Sequence, residues 1–176
     1  YRNYETSVAI LCLSQANAGG AYDEVIQNAV AFIKGIQWTI ADETAPGDRL
    51  SEGGSGYGKH GRPDLSNTQF FLDALHEAGG SGDDQAAIQR ALKFVSRCQN
   101  LKSEHNSTKF VERVEKGSDE EGGFYYRPAA GGSSQAGNTD LGGLRSYGSM
   151  TYAGLKSMIY AGVNKEDKRV VAANQW

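Results

Sequence analysis

One pattern recurs three times along this chain, and it limits the fold more than any other feature. Thr6-x-x-x-Ile10-x-x-Leu13, Thr68-x-x-x-Leu72-x-x-Leu75 and Thr151-x-x-x-Leu155-x-x-Met158 each place a threonine four and seven residues before apolar side chains. That spacing puts all three residues on one face of a helix. A small residue precedes the last position each time, namely Cys12, Ala74 and Ser157. A small side chain there lets a neighbouring helix come close. Self-similarity of this kind marks repeat architectures.

Each of these helices then runs into glycine, at Gly19-Gly20, Gly79-Gly80 and Gly162. Glycine ends helices because the left-handed backbone of a C-cap costs it little. A second helical stretch follows each stop. Residues 28–38 align without gaps on residues 90–100, and the third copy begins at Lys168. Asp83-Asp84 and Glu166-Asp167 stand before the second and third copies, where the helix dipole favours negative charge. A polar loop follows, and then Gly-Gly-x-x-Tyr, as Gly53-Gly54-Ser55-Gly56-Tyr57 and Gly122-Gly123-Phe124-Tyr125-Tyr126. The threonines lie 62 and then 83 residues apart, and the extra length falls in 101–121 and 127–147. Loops that long are usually functional or mobile. No stretch alternates as a strand would. The expected fold is all-α, with about six helices forming three antiparallel hairpins over 2–58, 64–126 and 147–176 of one domain.

Composition narrows the function classes. Eighteen basic and 21 acidic residues give a net charge of −3, so no broad basic surface for nucleic acid is expected. No apolar run approaches the roughly 18 residues of a membrane span. Glycine makes up 23 of 176 residues, about 13% against a usual ~7%, while proline supplies only three. That balance fits tight turns between helices. Two cysteines, Cys12 and Cys98, allow at most one internal bridge and fix no redox compartment. The chain opens at Tyr1 and closes at Trp176 inside a helical stretch, so a piece of a longer protein is expected and the compartment stays open.

Helix hairpins punctuated by Gly-Gly-x-x-aromatic turns, with Gln and an aromatic near the end of the second helix, resemble the terpenoid cyclase and protein prenyltransferase superfamily. The repeat is of the squalene–hopene cyclase type, and Leu144–Gly162 looks especially like bacterial prenyltransferase and squalene-oxidase repeat proteins. The resemblance covers nearly the whole chain outside the two long loops. It implies an α/α toroid, in which inner helices ring a cavity and outer helices wrap them, present here as a partial ring of about three hairpins. It also implies a test. Squalene–hopene cyclases carry Asp-x-Asp-Asp-Thr at an inner helix, and the middle Asp donates the initiating proton. The matching stretch is Asp64-Leu65-Ser66-Asn67-Thr68, so the donor position holds Ser66. A serine hydroxyl is too weak an acid to protonate an alkene. The other inner helices begin Arg2-Asn3-Tyr4-Glu5-Thr6 and Tyr147-Gly148-Ser149-Met150-Thr151, which lack the motif. The zinc ligands of prenyltransferases and the Cys-Gly-Glu-Gln thioester of complement-type members are missing too. No metal, no cofactor and no catalytic residue is therefore assigned.

Besides a scaffold whose solenoid-like surface serves as an interaction platform, two function classes remain open. One is a non-catalytic relative that binds an apolar isoprenoid or lipid, or a protein, on the concave inner-helix surface. The other is an isoprenoid cyclase or transferase whose acid lies in repeats outside this chain. The expected partners are an apolar molecule or protein, and further repeats or a second copy. The candidate ligand-binding residues are Tyr57, His60, Arg62, Asp64, Tyr126, Tyr147 and Tyr152, which fall on turns or inner-helix starts. Binding groups concentrate on such loops, and aromatics suit an apolar or cationic guest. Asp73, His76 and Glu77 share one helical face, read as a solvated stripe. Gly131–Gly137 reads as a flexible insert. Asn106-Ser107-Thr108 forms a glycosylation sequon.

Overall fold

The computed structural model describes residues 1–39, 49–58, 61–79 and 82–176. Among them are six α-helices and no strands, only isolated bridges. The helices are α1 (Arg2–Gln15), α2 (Asp23–Gly35), α3 (Leu65–Glu77), α4 (Gln85–Arg97), α5 (Gly148–Tyr160) and α6 (Lys168–Gln175). The all-α expectation holds.

The helices form two layers. α1, α3 and α5 pack side by side, α3 touching both of the others. α2 lies against α1 and α3, α4 against α3 and α5, and α6 against α5. One apolar core runs through all six, from Ile10 and Ile33 through Phe71, Leu72 and Phe94 to Met158 and Val170. α3 sits in the middle and is the most buried helix, because neighbours cover it on both sides as well as behind. Of the three small residues, Ala74 and Ser157 are fully buried in the seams, whereas Cys12 is exposed. Neither cysteine is bridged.

The expected glycine stops hold for α3 and α5, at Gly79 and Gly162, whereas α1 already ends at Gln15 with Ala16 as its C-cap, ahead of Gly19-Gly20. Beyond α5 the Gly162 N–H donates to Ile159 O and the Val163 N–H to Met158 O, with Gly162 at φ +76°. That is the Schellman arrangement, and it satisfies carbonyls the helix leaves open. Asp167 caps α6 by accepting from the Arg169 N–H at 2.9 Å. Asp84 does not cap α4. Its buried carboxylate takes Lys34 Nζ at 2.6 Å, tying α2 to the start of α4.

The repeat is most visible in its hydrogen bonds. Thr68 Oγ1 donates to Asp64 O and accepts the Ser55 N–H at 3.0 Å. Thr151 Oγ1 donates to Tyr147 O and accepts the Phe124 N–H, also at 3.0 Å. Thr68 and Thr151 thus fasten the starts of α3 and α5 to the preceding Gly-Gly turns. Equivalent residues in the first turns of α1 and α3 behave alike, since the Asn3 N–H donates to Tyr57 O and the Leu65 N–H to Tyr126 O. Each turn also comes within a hair of the next outer helix. A Cβ on Gly53 would lie 1.9 Å from Arg90 O, and one on Gly122 would lie 2.6 Å from Ala172 O.

The two long loops are folded. Phe110, Tyr125 and Leu144 form a second small core beneath them. The stretch expected to be flexible is held down: Arg127 and Ser133 exchange backbone bonds, and Gly132 packs against the Phe110 ring. Asn106, the sequon asparagine, is fully buried and gives its amide to Gln99 O at 2.6 Å.

Candidate functional site

At the N-terminal end of α3 three of the sequence candidates meet. Asp64 caps α3, its Oδ1 accepting the Asn67 N–H and its Oδ2 the Asn67 side-chain amide, both at 2.8 Å. The Tyr126 hydroxyl lies close enough to Asp64 to influence its titration, and Tyr57 lies close enough to influence that of Tyr126. Tyr1 stands edge-on to Tyr57 at 4.9 Å between ring centres. The result is a chain of polar groups from half-exposed Tyr57 inward to Asp64, which is 2% exposed.

Burial dominates the electrostatics here. Desolvation pushes the Asp64 carboxyl above its ordinary value, against the Asn67 bonds, the Tyr126 hydroxyl and the Arg127 charge. Desolvation also raises Tyr126, helped by the Asp64 charge beside it. Tyr147, the N-cap of α5, is raised by burial first, with the backbone of Gln135 opposing. Cys98 lies fully buried nearby, and burial holds its thiol far above the usual range, so it is no nucleophile.

The remaining candidates scatter. Tyr152 is 68% exposed on α5, on the stripe that continues through Lys156 and Ile159. Arg62 is exposed on the turn, and Asp64 finds its partners elsewhere. His60 lies outside the described residues. Phe124 and Tyr125 are fully buried, so they wedge hairpins together and line nothing accessible.

A second cluster was not among the candidates. Asp73 is 3% exposed and therefore no part of a solvated stripe. Its Oδ2 accepts Lys156 Nζ from α5 and Gln69 Nε2, each at 2.8 Å, while Oδ1 is buried without a partner. Lys156 also stands 5.0 Å from the Tyr160 ring centre, and Tyr160 stacks on His76 at 4.1 Å. On the α1 side Tyr4 meets Phe70 edge-on at 4.7 Å, and Glu77 accepts Gln15 Nε2 at 3.1 Å. α1, α3 and α5 are therefore laced together by aromatic and polar contacts along one face.

Compared with protein-family models, with curated proteins and with solved structures, this chain matches none. Its function must be read from its own residues. Among the described residues no three His, Cys, Asp or Glu side chains gather as metal ligands. Nor is any helix among them long and apolar enough to cross a membrane.

Proposed function

We propose that this chain is a binding module whose inner-helix layer receives an apolar, extended ligand of isoprenoid or lipid type. The observation that carries this reading is the exposed aromatic and apolar set on α1 and α5. Tyr4 is 42% exposed, Tyr152 68% and Ile159 56%, on helices whose other faces are buried. Exposed side chains of this size on one layer mark interaction surfaces. In a toroid-like arrangement, as the repeat resemblance implies, this face would be the concave one. Two features favour binding over catalysis. Ser66 stands where a proton donor would be needed, and Asp64, the nearest carboxyl, is sealed behind Asn67 and Tyr126.

The test is organic extraction of the purified protein with mass spectrometry, paired with equilibrium binding of squalene. Co-purifying neutral lipid, saturable squalene binding and a drop of about tenfold in Tyr4→Ser/Tyr152→Ser support the reading, tenfold being the effect of losing a couple of buried aromatic contacts. Absence of both bound lipid and squalene binding overturns it. Loss of a captured protein partner in the same variant would reassign the face to a protein. Conversion of squalene to a cyclic product would replace it with the cyclase reading.

A further inference from the structure

We draw no further inference here: the strongest candidate, the apolar stripe of Val25, Ala29 and Phe32 on α2, whose counterparts Ala91 and Phe94 on α4 lie beneath the Gly53-Gly54 turn, is an unpartnered helix face, and nothing in the structure shows what covers it.

Discussion

Asp73 and Lys156 lie 83 residues apart, occupy the same position in successive inner helices, and meet at 2.8 Å. The spacing equals that between Thr68 and Thr151, so the repeat itself brings the pair together. α3 and α5 are side by side, and the long Lys156 side chain reaches back across the seam to Asp73. Opposite charges there tie two repeats and also set which helices are neighbours.

Removing the lysine should show what the seam is worth. Lys156→Met leaves the Asp73 carboxylate, 4% exposed as a side chain, with Gln69 as its one hydrogen-bond partner. The expected loss is about 3 kcal/mol by urea unfolding at neutral pH, the low end for a broken buried pair. Lys156 keeps 26% of its side-chain surface in water, which argues for that end of the range. Asp73→Asn in the same protein should recover most of the loss. Burial alone would lower the Lys156 ammonium, but the Asp73 bond and charge hold it above its ordinary 10.5. The wild-type contribution is therefore complete below that value and fades as pH rises through the folded one. A loss below about 0.5 kcal/mol would mean the pair is no stronger than a surface contact.

Asp64 predicts the opposite dependence among carboxyls. Its folded value lies above the ordinary 3.8, so the fold binds that proton more tightly than the unfolded chain does. Stability from this group is greatest below the unfolded value and declines as pH rises through the folded one. Asp64→Asn should flatten the stability profile above the ordinary 3.8, where the wild type declines, without loss at pH 7, since Asn caps helices as well as Asp. Asn67 can turn its amide to meet the new side chain, because its Oδ1 has no partner. A profile as steep as the wild type would place the dependence elsewhere.

Two glycines of similar backbone angle should respond very differently to alanine. Gly53 has φ +83° and its added Cβ would strike the Arg90 carbonyl at 1.9 Å. Gly79 has φ +90° and nothing within 4 Å. Gly79→Ala should cost about 1 kcal/mol, the price of the left-handed angle alone. Gly53→Ala must push α4 off the turn and should cost about 4 kcal/mol or more, or prevent folding. Equal melting temperatures for the two variants would refute the close approach.

Helices, stops and the threonine repeat were legible in the sequence because they rest on local spacing. Gly79 and Gly162 end their helices, and Thr68 and Thr151 mark equivalent starts. Burial was harder to read. His76 and Glu77 are exposed as that stripe requires, but Asp73 is buried, because one helix alone does not show that α1 and α5 flank it. The second core under the long loops was hidden for a similar reason: Phe110, Tyr125 and Leu144 come from three separate segments with no shared period. Of the candidate site, Tyr57, Tyr126 and Asp64 converge, while Tyr152 belongs to another face. The signal that would have found the Asp73–Lys156 pair was present, since subtracting 83 from Lys156 names its partner.

The two junctions between hairpins use matching donors and acceptors, at Asn3 and Leu65, at Thr68 and Thr151, and at Gln37 and Gln99. Stability in such an array is a sum over neighbouring units. A gene segment encoding residues 65–147, copied in tandem, would therefore enter the chain with both of its borders already matched. A lineage carrying this device grows or shortens by whole helix pairs, and its length can drift while the rules at each border stay the same.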